Sequence, residues 1–300
     1  MNMTKRIRTV SIVLAVCIFP QLSWGQEPIP PISVQAQRKH EKLEQDVNAF
    51  VSTAIVQPKA VYHQSLERWN INVCPQVVGL SKEQGEFVLA RLSQIARNAR
   101  VPLAGETCDP NFRIIVTAQP APFLSKLGEE MIKADKLARS QVEKFVSTPR
   151  PIRVWRSIGL TSIDGSNHIR AHGEDEYFRE PPSVTLPSQY GSRLNVSLVT
   201  RDIESAVVIV DATQVRALNF GQLADYIAMI GFAQIDLDTD FSDAPTILEV
   251  FKTSAGVKPL ELTEWDKAML HALYNTEQRD TTQMSQIESA SLKQIEAATP

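Results

Sequence analysis

From Leu223 to Gln234 the chain reads LADYIAMIGFAQ, a helical stretch that is apolar on nearly every side. Leu223, Ile227 and Ile230 form one face, Met229 and Phe232 widen it, and alanines fill most of the rest. Such a helix cannot lie on a surface; it needs neighbours all round. Fully burying each of its larger side chains is worth about 1.5–3 kcal/mol, so packing alone can hold it in place. Just upstream, SAVVIVD (Ser205 to Asp211) reads as a buried strand. A central helix fed by a buried strand predicts an α+β protein, with a small mixed sheet packed with helices.

The other segments fit that frame. Gln35 to Val56 reads as a charged helix whose apolar side strengthens toward Phe50, Val51 and Ile55. SKEQGEFVLARLSQIARNA is a clearer helix, with Ser81 placed as its cap and Phe87, Leu92 and Ile95 near helical spacing. FRIIVTA from Phe112 and PIRVWRSIGL from Pro151 predict strands, with one helix, PFLSKLGEEMIKADKLARSQVEKF, between them. Asp164 to Gly191 is polar and holds three prolines, which predicts a long loop or a hairpin excursion. Helical pattern dominates from Thr213 onward, and Thr263 with Asp266 makes a capping box for a helix carrying Trp265 and Leu273 inward.

The first residues predict export. Lys5, Arg6 and Arg8 precede an apolar run from Val10 to Leu22 that is too short to span a bilayer and is broken by Pro20. Ser23 and Gly25 are small residues placed for a cut between Gly25 and Gln26. A lipoprotein modification at Cys17 is disfavoured, because bulky Val16 precedes the cysteine. The expected organisation is therefore a signal peptide at 1–25, a spacer and N-terminal helix at 26–62, one α+β domain at 63–275 and a helical tail at 276–300. The location is periplasmic or extracellular. Beyond the signal, Cys74 and Cys108 remain, and in an exported chain they most simply form one disulfide, with two buried free thiols as the alternative. The chain carries 31 basic against 34 acidic residues without a basic cluster, which argues against nucleic acid as a partner. No later segment predicts a transmembrane span.

Within the apolar helix, Ala224, Asp225, Ala228, Gly231 and Gln234 stand at the spacing H-E-x-x-H-x-x-G-x-x-H. Downstream, Thr246-Ile247-Leu248 sits where a Met-turn would be, and ELTEWDKAMLHALYN matches a terminal helix of the form L-[ST]-x-x-D. On these residues the segment 206–275 resembles a metzincin, a zinc protease of the zincin class, and resembles uncharacterised secreted bacterial proteins with a worn zincin helix. The resemblance implies a zincin-like C-terminal half, with Leu248 as the Met-turn equivalent. It also shows what is gone. A metzincin holds zinc with three imidazoles and uses a glutamate as base; here alanines and Gln234 replace the ligands, and Asp225 replaces the base. No cofactor is expected, and a non-catalytic role is favoured over an enzyme. With Ala224 and Ala228 one turn apart, the floor of the former cleft is small and apolar, either packed over or open as a shallow groove for an extended peptide. The same helix in an unrelated fold remains the alternative to zincin ancestry.

Two further groups merit a metal test. Asp236, Asp238 and Asp240 alternate as in a calcium loop, yet the sixth position lacks glycine and Ile247 sits where the twelfth needs glutamate, which favours a solvated turn. His168 and His172, near Glu174 and Asp175, have a spacing that chelates zinc on a helix, but they sit in the polar excursion. A metalloenzyme centred on His168 and His172 is the alternative function, and a purely structural contact protein is the third. The leading expectation is an exported peptide-binding or scaffolding module whose partner is a peptide or envelope protein.

Overall fold

The computed structural model describes residues 31–57, 65–136, 138–162, 168–171 (backbone), 199–241, 244–251, 258–278 and 282–298. Residues 1–25, where an export signal was expected, and Cys17 among them lie outside these, as do His172, Glu174, Asp175 and the side chain of His168. The chain divides into two compact units, Met1–His40 and Glu41–Pro300. Of the first, only the opening turns of α1 (Pro31–Ala54) are described.

The second unit is α+β. Its strands are β1 (Pro75–Val78), β2 (Phe112–Thr117), β3 (Ile152–Ser162), β4 (His168–Ala171) and β5 (Val199–Asp211), in the sheet order β1-β2-β5-β3-β4. β1, β2 and β5 run parallel; β3 runs antiparallel to both β5 and β4. The helices are α2 (Lys82–Ala99), α3 (Pro120–Ala134), α4 (Arg139–Ser147), α5 (Phe220–Phe232), α6 (Glu264–Asn275) and α7 (Gln283–Ala298), with a 3-10 turn at Ile247–Phe251. None of the described helices is long and apolar enough to cross a membrane.

Local chemistry explains the boundaries. Ser81 caps α2 through a complete capping box with Gln84, and Thr263 does the same for α6 with Asp266. The segment expected as one helix breaks at Asp135, whose extended backbone separates α3 from α4. β1 had no expectation attached to it: four residues beginning with proline carry too little alternation to read. It ends at Gly79, whose φ of 91° and close approach to the Val116 carbonyl leave no room for a Cβ. Inside α2, Val88 rather than Phe87 turns inward beside Leu92 and Ile95, and Phe87 stays half exposed.

The core is continuous. β2 and β5 supply Phe112, Ile114, Val208 and Val210; α5 supplies most of its length; α6 supplies Met269 and Leu273. The last turns of α1 join it through Val47, Phe50, Val51 and Ala54, with Phe50 against Trp265 at 5.7 Å between ring centroids. The C-terminal tail folds back: α7 packs on α6 and buries Ile287 and Ile295. Gln283 Oε1 accepts from the Leu66 amide at 2.9 Å, and Gln278 Nε2 donates to the Leu66 and Arg201 carbonyls, both at 3.0 Å. Cys74 and Cys108 are disulfide-bonded, which ties the entry of β1 to the loop before β2.

Candidate functional site

The helix α5 begins at Asn219, whose side chain accepts from the Gln222 amide at 2.8 Å while Gln222 Oε1 accepts from Asn219 N. From Gln222 to Phe232 every residue is buried, as an all-round apolar helix requires. Ala224 and Ala228 expose no surface at all. No shallow groove therefore lies over these alanines: α2, the 3-10 turn, α6 and β5 all pack on the helix. Gly231 is held at glycine by packing, because a Cβ there would overlap the ring of Phe112. Its carbonyl accepts from Trp69 Nε1 at 2.8 Å.

Asp225, which the motif spacing sets where a protease would have its base, is fully buried. Arg91 of α2 grips it at both oxygens, Nε to Oδ1 at 2.6 Å and Nη2 to Oδ2 at 2.9 Å, and the Leu262 amide donates to Oδ2 at 2.7 Å. This hydrogen bonding holds the Arg91 guanidinium well above its ordinary value. The carboxylate is a clasp joining α2, α5 and the lead-in to α6. Asp266 forms a second one. It accepts from the amides of Ile247 and Thr263, each at 2.9 Å, and from the hydroxyls of Thr246 and Thr263, which fixes the 3-10 turn against α6. Leu248, where the resemblance implied a Met-turn, is buried in that turn. Burial pushes the Asp266 carboxyl up to about 6, against the opposing pull of Thr246 and the other donors.

The alternating aspartates have other employment. Asp236 Oδ1 accepts from the Asp238 amide at 2.9 Å, Asp238 pairs with Arg150 and Lys144, and Asp240 is exposed. Among the described residues no three His, Cys, Asp or Glu side chains converge to hold a metal.

A cavity of about 680 Å³ opens instead beside the end of α5. Gln234 lines it, next to Ile235–Asp238; α3 and α4 form a second wall, and β3 from Arg153 to Ile158 a third. Phe145 and Trp155 meet edge-on there at 5.7 Å. Arg156 reaches across from β3 to the C-terminus of α5, where Nη2 donates to the Ile230 carbonyl and to that of Ala233 at 2.7 Å. A cation at that end favours the helix dipole. Burial lowers the Arg156 guanidinium to about 10, with Glu67 opposing the shift. Glu67, 2 % exposed, receives Arg201 on Oε1, including Nε at 3.0 Å. Glu67, Arg156 and Arg201 carried no functional expectation. The only sequence signal was arginine inside strand patterns.

Among the described residues, the β3 wall is also an open strand edge. β5 pairs along all of β3, but β4 covers only Ile158 to Thr161. The Asp211 amide donates to the Pro151 carbonyl, which sets the alternation. Ile152, Val154 and Arg156 therefore turn their N–H and C=O groups away from β5. Among the described residues, no backbone partner meets them on that side. No histidine or cysteine is among the described residues lining the cavity, so its groups supply hydrogen bonds and charge without a nucleophile–imidazole pair. No family model, no curated protein and no solved structure matches this chain.

Proposed function

We propose that the chain is an exported, non-catalytic binding module on a worn zincin scaffold, which holds an extended peptide as an added strand along β3. The observation that carries this is the edge from Ile152 to Ser157, without a second strand neighbour among the described residues, fronting a cavity of about 680 Å³. That edge runs about 20 Å at the usual rise of a strand. Strand addition takes affinity from main-chain hydrogen bonds and specificity from pockets under alternate side chains, and both parts are in place here. The order β5, α5, 3-10 turn, α6 supports the zincin ancestry, and the turning of Asp225 onto Arg91 supports loss of catalysis. The Cys74–Cys108 disulfide supports export, together with the basic and apolar leader at 1–25. An envelope protein is the natural source of the peptide.

Val154→Pro tests the reading. It deletes an outward N–H, and proline on an edge strand leaves the β5 ladder whole. A random decapeptide library displayed on phage is panned on the purified protein, and the recovered peptides are titrated by fluorescence anisotropy. Wild type retains peptides, whereas Val154→Pro binds them at least tenfold more weakly with an unchanged unfolding midpoint. Equal binding by the two proteins, or no peptide recovered on wild type, overturns the proposal.

A further inference from the structure

The cavity wall carries two polar atoms of opposite kind with nothing to bond. Glu67 Oε2 accepts from no group and Arg156 Nε donates to none among the described residues, and both atoms are dry. Their neighbours within the same side chains are committed, Oε1 to Arg201 and Nη2 to the carbonyls of α5. A buried atom of a charged group left in this state is destabilising, so a ligand that satisfies it gains in proportion. One group answers both needs. A primary carboxamide donates from its NH2 to Glu67 and accepts at its carbonyl from Arg156. A carboxylate would face Glu67 with like charge, and an ammonium would face Arg156.

Resting on strand addition along β3, we propose that the cavity selects a peptide with a glutamine or asparagine side chain, its carboxamide seated between Glu67 Oε2 and Arg156 Nε. Both atoms are closed off from solvent in the unliganded wall, so this seating requires the Glu67 and Arg156 side chains to turn as the peptide docks. The docked backbone occupies the edge of β3 at Val154 and Arg156, and the side chain beneath it enters on the Arg156 face, beside the Gln234–Asp238 segment.

Three Thr-Val-alternating decapeptides that differ only in a central Gln, Glu or norleucine are titrated calorimetrically against the full chain. The Gln peptide binds roughly tenfold to a hundredfold more tightly than the other two, as an unmet buried partner implies. Glu67→Gln, which presents an NH2 where Oε2 stood, reverses the order in favour of the Glu peptide. That substitution also removes the charge partner of Arg201, so its unfolding midpoint is read alongside. Arg156→Lys gives an independent arm, since it keeps the charge, deletes Nε and shrinks the Gln advantage below threefold. Equal binding of the Gln and norleucine peptides to wild type means that a water serves the two atoms; it overturns the carboxamide assignment and leaves strand docking standing. Binding of none of the three, with Val154→Pro also indistinguishable from wild type in the library assay, overturns both.

Discussion

Replacing Asp225 by alanine separates a clasp from a catalytic relic. The carboxylate is fully buried and serves three donors: two from Arg91, whose side chain is 24 % exposed, and the Leu262 amide. Truncation strands the Leu262 N–H, at about 1–3 kcal/mol. It also leaves the Arg91 guanidinium with only the exposed Glu261, at 3.3 Å, and breaking a buried pair from one side costs up to about 3–5 kcal/mol in all. Arg91→Ala costs a similar amount, because it leaves a bare charge on Asp225 inside the core. The double variant has no unpaired charge, so its cost falls short of the sum of the singles by at least about 2 kcal/mol. Equilibrium urea unfolding of the four proteins, followed by tryptophan fluorescence, reads these values directly. A loss under about 1 kcal/mol for Asp225→Ala, or additive singles, would refute the clasp and return this carboxylate to the functional groups.

Three other outcomes rest on the same geometry. Gly231→Ala gains about 1 kcal/mol of helix propensity but drives a methyl into Phe112, whose ring also packs on Trp69 and Phe232; overpacking of about 1–3 kcal/mol makes a net loss the expected result, and a raised melting temperature would contradict it. Asp266 is held up to about 6 from an ordinary 3.8, so the folded protein keeps a proton that the unfolded chain releases. Its contribution is full below about pH 4 and declines as pH rises to about 6, by at most about 3 kcal/mol. The stability difference between wild type and Asp266→Asn therefore shifts against wild type between pH 4 and pH 7, and a pH-independent difference in chemical denaturation would refute the assignment. Reducing the disulfide, which spans a sequence separation of 34 residues, lowers stability by about 4 kcal/mol in the chain-entropy treatment, measured as the change in urea midpoint with and without reductant.

What could be read from the letters was whatever is written locally. The burial of α5, the strand at β5 and the caps at Ser81 and Thr263 each follow from residues within a few positions of one another. The break between α3 and α4 was hidden because Asp135 to Ala138 carries no glycine or proline to announce it. The fate of Asp225 was hidden for a different reason: its partner lies 134 positions away on α2, and nothing near either residue names the other. The cavity is less legible still. It is assembled from the end of α5, two helices, a strand edge and the segment around Glu67, parts that lie far from one another in the sequence. The motif spacing drew most notice to Ala224 and Ala228, which are packed over, while of the motif positions Gln234 alone borders the open space, past the end of α5.

The placement of α7 bears on when this molecule can take shape. Its side chains close the hydrophobic interior from the far end of the sequence, and Gln283 stitches it to the main chain at Leu66. A nascent chain released before about residue 295 lacks the piece that seals the inner layer around α6. The layer around α6 therefore closes only when α7 docks, so a contact spanning 217 positions, Leu66 to Gln283, belongs to the last step that completes the core.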